Sequence, residues 1–354
     1  MTKNSRERSP IWIAGPCSIE SEEQLWTTAQ QLHDVAQRDG VHLDFFRAGV
    51  WKTRSHPDSF AGLGEQTLPW LEKIQTQLGF PVCVEVQTPE HVELCEKHGI
   101  QTIWVGARTG VNPVEVQKLA DAVSHKPFTV LVKNPIVADL KLWIGNVERF
   151  LQADVQKVMA VHRGFPDNKE NVLRNAPCWE IPIALKVHFP DIPILCDPSH
   201  LCGQTAYIPQ IAQIALTYGF DGLMVECHHA PKEALSDASQ QLTPTEWAEM
   251  AQKLQFPANV PDRELVRQRA LLENVDHQLS QLLWQRMQIV DEIANIKKEH
   301  RLPVVQPQQW QKVVERYHQP EHDELYARFL DQFLPLLHQY SILRQQDDKS
   351  YTES

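Results

Sequence analysis

Residues 193–200 read PILCDPSH, and residues 221–241 read DGLMVECHHAPKEALSDASQQ. Two short apolar runs, 192–196 and 221–225, each end in polar residues: Asp197, Ser199 and His200 after the first, Glu226 after the second. A helix-length segment, 206–218, lies between them. That order predicts a strand–helix–strand unit, and parallel strands carry chemistry at their carboxyl ends. His200, Glu226 and Asp237 offer one nitrogen and two oxygens; with a fourth donor they suit a borderline divalent cation. Each taken singly reads as a solvated loop residue. Their grouping at the ends of two strands is what points to a site.

Outward from this unit, apolar runs recur at 11–15, 42–48, 82–86, 102–106, 128–132 and 157–161. They are short and bounded by Gly, Pro or charge, as strands buried on both faces should be. Amphipathic segments such as 22–38, 90–97, 113–123 and 138–151 separate them, with Pro89 and Pro113 where a first helical turn tolerates proline. Residues 165–191 are less regular, and Pro177 and Pro182 break any long helix there. Eight strands with crossover segments predict an α/β fold, a (β/α)8 TIM barrel. An open doubly wound sheet is the runner-up, but no glycine-rich dinucleotide fingerprint follows the first strand. The polar residues just after the strands are Cys17, Lys52 with Arg54, Glu85, Arg108, Lys133, Arg163, Asp197 with His200, and Glu226. So many cations at strand ends, in a chain of 34 basic and 45 acidic residues, point to anionic substrates held by Arg and Lys.

The acidic balance argues against a nucleic-acid partner. Seven cysteines without zinc spacing read as reduced, the state expected in the cytoplasm. The polar start, MTKNSRERSP, does not read as a signal peptide, and no apolar run approaches the ~20 residues of a membrane span. Residues 256–262 (FPANVPD) read as a linker closing a first domain, 1–255. From Arg263 the pattern changes: Leu265, Leu272, Val275, Leu279, Leu282, Leu283, Met287, Val290, Ile293 and Ile296 recur every three to four residues. This predicts one helix of about 40 residues, ~60 Å long, then shorter helices near 308–317 and 323–345, the last interrupted by Pro335. A helix that long needs a second chain to cover its stripe, so domain 263–354 is expected to be a small all-α three-helix unit forming an intertwined homodimer. Arg286 and Lys297 lie three turns apart on one face. Arg269 is about 25 Å from Arg286 along the axis, within reach of a partner's site and not of its own.

Several stretches of the barrel region resemble the 3-deoxy-D-arabino-heptulosonate 7-phosphate (DAHP) synthases of the type related to octulosonate phosphate synthases. They are GPCSIE (15–20), RAGVWKTRS (47–55), SFAGLGE (59–65), VGAR (105–108), DPSH (197–200) and VECHHAPKEALSDASQQ (225–241). The resemblance implies condensation of phosphoenolpyruvate with erythrose 4-phosphate, the opening step of the shikimate pathway, with one divalent metal ion: manganese first, with iron, cobalt and zinc as alternatives. It implies Cys17, His200, Glu226 and Asp237 as metal ligands, and Arg47, Lys52, Glu85, Ala107, Arg108, Lys133 and Arg163 around phosphoenolpyruvate. Arg54 and Ser55 would take the aldose phosphate and Asp197 its hydroxyls, with Lys52 passing a proton to the aldehyde oxygen. Thr53, Ala48 and 203–207 depart from the usual pattern, while Lys52–Ser55 favours the four-carbon aldose.

The tail, 263–346, resembles the all-helical chorismate mutases, which rearrange chorismate to prephenate without a cofactor. By resemblance, Arg286 and a partner chain's Arg269 grip the two carboxylates, Lys297 and Gln345 face the ether oxygen, and Ser341 lines the site. Gln309 and Trp310 stand where many members carry Arg-Glu. The expectation is a two-activity enzyme, a homodimer through the helical domain or a higher oligomer built on it. The alternatives are a synthase whose tail only dimerises and senses prephenate or chorismate, and a different metal-dependent aldolase on the same barrel.

Overall fold

Eight runs of β-branched and large apolar residues alternate with amphipathic helices over the first two-thirds of the chain. The structure is a computed structural model; it describes residues 10–52, 60–166, 172–256, 263–317 and 323–346. The strands are β1 (Ile11–Gly15), β2 (Phe45–Ala48), β3 (Val82–Val86), β4 (Thr102–Val105), β5 (Thr129–Lys133), β6 (Lys157–His162), β7 (Phe165–Pro166), β8 (Asn175–Ala176), β9 (Ile194–Cys196) and β10 (Gly222–Glu226). All but β7 and β8 close a parallel barrel in the order β1-β10-β9-β6-β5-β4-β3-β2. The (β/α)8 architecture is therefore the observed one. Strand β2 begins three residues later than the apolar run suggests, because Asp44 turns its carboxylate to accept from the Trp12 amide at 2.8 Å. The irregular interval holds the small β7–β8 antiparallel pair and a helix, Glu180–His188, that takes Pro182 in its first turn.

The period of two in a strand sets what each barrel residue does. Ile13, Cys83, Trp104, Leu131, Met159, Val161, Leu195 and Met224 pack together as the core inside the barrel. The outward residues, such as Ala14, Phe46, Val84, Val105, Val132 and Val225, pack beneath the helices. Two residues on from several interior positions the chain reaches the carboxyl mouth: Arg47, Glu85, Lys133, Asp197 and Glu226. Register keeps these ends level, with Gly15 beside Glu226 and Lys133 beside Val161. Gly106 sits where a Cβ would overlap the Glu85 carboxylate, so that ring of polar side chains needs glycine there.

The chain divides into two units, Met1–Asn259 and Val260–Ser354. In the second, a helix runs Arg263–Glu299, followed by Pro307–Tyr317 and Glu324–Gln346, the last continuing through Pro335. Leu272, Val275, Leu279, Leu282 and Ile296 of the long helix are exposed. No described helix is long and apolar enough to cross a membrane.

Candidate active site

At the barrel mouth, three of the four expected ligands stand together. Single ligand atoms of Cys17, Glu226 and Asp237 lie within 4.8 Å of one another. The Cys17 thiol donates to Asp237 Oδ2 at 3.2 Å and accepts from Lys52 Nζ at 2.8 Å. His200 approaches from the short helix after β9, its Nε2 3.7 Å from Glu226 Oε1; it lies beside the trio rather than within it. Its Nδ1 lies 2.8 Å from Asp197 Oδ2 without hydrogen-bond geometry, and its Nε2 is the ring nitrogen that faces Glu226. Asp197 caps the same helix by accepting from the His200 amide at 3.0 Å. One carboxylate thus sets the backbone of His200 and flanks its ring.

The local backbone brings Cys17 and Asp237 together from opposite ends of the barrel sequence. The Cys17 amide donates to Gln241 Oε1 at 3.0 Å, Gln241 Nε2 donates to the Ser236 carbonyl at 2.9 Å, and Ser18 and Ser236 share a hydroxyl bond of 2.7 Å. Asp237 itself adopts a left-handed backbone, φ 49°, a conformation that costs a non-glycine residue on the order of 1 kcal/mol and turns its carboxylate back toward the thiol.

Charges in this mouth are stacked over apolar walls. Arg47 is 1% exposed and donates through Nη2 to Glu226 Oε1 at 2.9 Å. Its Nε and Nη1 make no hydrogen bond among the described residues. Lys133 donates to Asp197 Oδ2 at 2.7 Å. The ring of Trp104 lies 5.1 Å from the Arg47 guanidinium and 5.6 Å from Lys133 Nζ, while its Nε1 donates to Glu85 Oε2 at 3.1 Å. Arg163 is oriented by Asn134, whose Oδ1 accepts the Arg163 amide at 2.7 Å. Ala107 holds the next loop by accepting from the Ile136 amide at 3.2 Å. Arg108 begins a one-turn helix, Thr109–Val111, on the exposed rim.

The electrostatics follow from burial set against these neighbours. Burial pushes the Cys17 thiol up to about 12, with Glu226 adding to it and Lys52 opposing. Burial would also raise Glu226, but His200, Arg47 and Lys52 outweigh it and hold the carboxyl at about 2. Asp197 is held well below the usual range against its burial by His200, Lys133 and Arg47. Burial, aided by Arg174 and Arg108 and opposed by Asp197, lowers Arg163 to about 10, so three guanidinium groups feel one another here. For Lys52 burial works downward, yet Cys17 and Glu226 bring it above its ordinary value, leaving an ammonium able to give a proton.

Arg54 and Ser55 fall in 53–59, outside the described residues. Trp104, Asn134, Arg174, Gln240 and Gln241 belong to the site but were not singled out from sequence. Trp104 had a signal: it stands two residues before Gly106 on the inward face. The two glutamines lie inside the 225–241 stretch, but an amide side chain carries no charge or ligand pattern that marks it.

In the helical unit, Arg286 Nη1 donates to Ser341 Oγ at 2.7 Å, and the Ser341 hydroxyl donates to the Leu337 carbonyl at 2.7 Å. Lys297 donates to Gln345 Oε1 at 3.1 Å and to the Val304 carbonyl at 2.7 Å. Arg269 is exposed, near the start of the same helix as Arg286. Lys297 and Gln345 border a cleft of about 690 Å³ that Asp291, Arg344, Leu302 and Val304 also line. Trp310 stacks on His338, ring centroids 4.1 Å apart.

The family model of the DAHP synthetase I family matches residues 3–258, nearly the whole first unit. The chain belongs to that family. The chorismate mutase type II model matches residues 268–346, so this DAHP synthetase I family member carries a mutase domain, and both activities expected from the sequence are represented on one chain. It is 30% identical over 243 residues to a phospho-2-dehydro-3-deoxyheptonate aldolase of Thermotoga maritima, covering 68% of each chain. To a 2-dehydro-3-deoxyphosphooctonate aldolase of Desulfatibacillum aliphaticivorans it is 27% identical, covering 66% of this chain and 86% of the relative. Among solved structures, the Thermotoga maritima DAHP synthase aligns with a TM-score of 0.59 at 27% identity, covering 69% of this chain and 68% of that one.

Proposed function

We propose that Cys17, His200, Glu226 and Asp237 hold one divalent cation at the barrel mouth, and that phosphoenolpyruvate lies beside it on Arg47, Lys133, Arg108 and Arg163, bordered by Glu85 and Ala107. The donor set fits: a thiol, an imidazole with its outer nitrogen beside a carboxylate, and two carboxylates suit manganese, iron, cobalt or zinc. The observation that carries the substrate reading is Arg47. Its Nε and Nη1 are buried without a hydrogen-bond partner, and an unpaired buried donor is costly. An anionic substrate arriving over Trp104 would bring an acceptor to Nη1, which among the described residues has only the distant Asp197 Oδ2 at 4.0 Å, or to Nε on the other side of the guanidinium.

When bound, the cation polarises the aldehyde of erythrose 4-phosphate. Carbon 3 of phosphoenolpyruvate then forms the new bond to the aldehyde carbon, and Lys52 gives its proton to the aldehyde oxygen. Water adds to carbon 2, and the bond from that carbon to the bridging oxygen breaks, so phosphate leaves with that oxygen and carbon 2 keeps the oxygen of the water. Arg47 and Lys133 hold the carboxylate end, Arg108 and Arg163 the phosphoryl end. Arg54 and Ser55 receive the aldose phosphate, and Asp197 orders its hydroxyls while holding the His200 backbone.

In the helical domain, Arg286 and Arg269 of the partner subunit grip the two carboxylates of chorismate, while Lys297 and Gln345 stabilise charge growing on the ether oxygen. Holding the enolpyruvyl arm over the ring is most of the task. The exposed apolar stripe of the long helix supports a homodimer that completes this site. Assays of both reactions on one preparation test the division of labour. A chelator is expected to abolish condensation of phosphoenolpyruvate with erythrose 4-phosphate, restored by manganese, and to leave chorismate consumption unchanged. Condensation that survives chelation, with chelator-bound metal removed, would contradict the barrel reading. Absence of chorismate consumption would leave the tail a dimerising and sensing domain.

A further inference from the structure

Each carboxylate of the barrel site is used from both sides. The inner oxygens face the ligand donors: Asp237 Oδ2 meets the Cys17 thiol at 3.2 Å, and Glu226 Oε1 faces His200 Nε2 at 3.7 Å. The outer oxygens are joined to each other by two residues that the chemistry of condensation does not use. Arg174 Nη1 donates to Asp237 Oδ1 at 2.9 Å and to Gln240 Oε1 at 2.7 Å. Gln240 Nε2 donates to Glu226 Oε2 at 2.7 Å. The chain Asp237–Arg174–Gln240–Glu226 is therefore continuous, and Gln240 is fully buried.

The backbone is shaped to hold this chain. Arg174 lies between β6 and the helix Glu180–His188, and its amide donates to the Cys202 carbonyl at 3.2 Å. Its aliphatic stem crosses Gly203, where an added Cβ would lie 2.7 Å from the Arg174 Cβ. Gly203 has φ +69°, so glycine serves there both for conformation and for room. Gln240 sits in a short helix, Ala238–Gln240, that follows directly from the left-handed Asp237.

We propose that Gln240, anchored by Arg174, is the positioning residue of the metal site: it fixes the spacing and rotation of the Glu226 and Asp237 carboxylates so that their inner oxygens converge with Cys17 and His200. The amide suits this role because it donates to one anion and accepts from a cation, so the bridge adds no net charge of its own. Outer partners of metal ligands commonly change affinity by about 10–100-fold when lost. This inference rests on the reading of the four residues as metal ligands, and the test separates the two.

Binding of manganese alone to the full chain is measured by equilibrium dialysis without substrates, for wild type, Gln240→Met and Gln240→Asn. Both substitutions keep the charge and break the bridge, the first by removing the amide, the second by shortening it. The expected result is manganese binding about 10-fold or more weaker in each, unfolding of the metal-free protein within reach of wild type, and condensation recovered by raising manganese at unchanged KM for phosphoenolpyruvate. Arg174→Lys, which keeps a cation able to donate to both acceptors, is expected to bind nearly as wild type. Wild-type affinity in both Gln240 variants would overturn the positioning role while leaving the metal site standing. Failure of wild type to bind manganese would overturn both. Gln240→Asn, the smaller change, decides the matter should Gln240→Met not fold.

Discussion

Lys52→Met is expected to cut condensation of phosphoenolpyruvate with erythrose 4-phosphate by about 10³-fold, the range of a lost general acid, with the barrel still folded. Lys52 Nζ stands 2.8 Å from Cys17 Sγ, so it faces the proposed ligands, where the aldehyde oxygen would meet a bound cation. Burial works to remove its proton, and the neighbouring Cys17 and Glu226 keep that proton on. Methionine matches the length of the chain but has nothing to donate. The loss should fall on kcat, since Arg47 and Lys133 still hold the substrate's carboxylate. Steady-state kinetics with phosphoenolpyruvate varied at saturating aldose check this. Turnover within a few-fold of wild type would remove Lys52 from the mechanism and leave its ammonium only a hydrogen-bond donor to Cys17 Sγ.

The second large effect concerns the other domain. Arg286→Ala should lower chorismate rearrangement by on the order of 10²–10³-fold, as expected when one of the preorganised cations that grip the substrate carboxylates is lost, and should leave condensation unchanged. Arg286 is held at 2.7 Å by Ser341, itself 4% exposed, so the guanidinium does not have to find its pose when substrate arrives. The same holds for Lys297, pinned between Gln345 and the Val304 carbonyl. Loss of condensation together with rearrangement would mean that Arg286 carries folding or assembly and not the substrate. Mixing Arg286→Ala with Arg269→Ala chains sharpens the point, because a site shared between partners regains one intact copy in a mixed dimer.

How far the sequence led can be judged residue by residue. The barrel was legible because its strands are short, apolar and evenly spaced, and because the charged residues fall at a fixed offset from the interior ones. Arg47, Glu85, Lys133, Asp197 and Glu226 all follow an interior residue by two, so the alternation that fills the barrel also lifts them to its mouth. The edges were less legible. The run 42–48 looks like one strand, but Asp44 spends its carboxylate on Trp12 and pairing begins at Phe45. The irregularity of 165–191 showed, but not that it would form the β7–β8 pair and place Arg174 against Asp237.

In the candidate site, the charged and sulfur side chains proposed as ligands stood out because they group at strand ends and fall in the motifs that resemble the family. The amides could not. Gln240, Gln241 and Asn134 owe their importance to having donor and acceptor on one uncharged group, and only distances reveal which partners they join. Only the DPSH resemblance singled out His200 over His228 and His229. In the structure it stands 3.7 Å from Glu226, while His228 turns to Glu20, also at 3.7 Å. Trp310 was flagged as a departure, and the stack with His338 shows where the indole goes.

The central claim is that one cation joins Cys17 to His200, Glu226 and Asp237. Titrating the metal-free full chain with cobalt tests it most directly, since a thiolate ligand gives a near-ultraviolet charge-transfer band that oxygen and nitrogen ligands do not. The band is expected to saturate at one cobalt per chain and to vanish in Cys17→Ser while cobalt still binds more weakly. No band in the wild type, or a band that persists in Cys17→Ser, would contradict it.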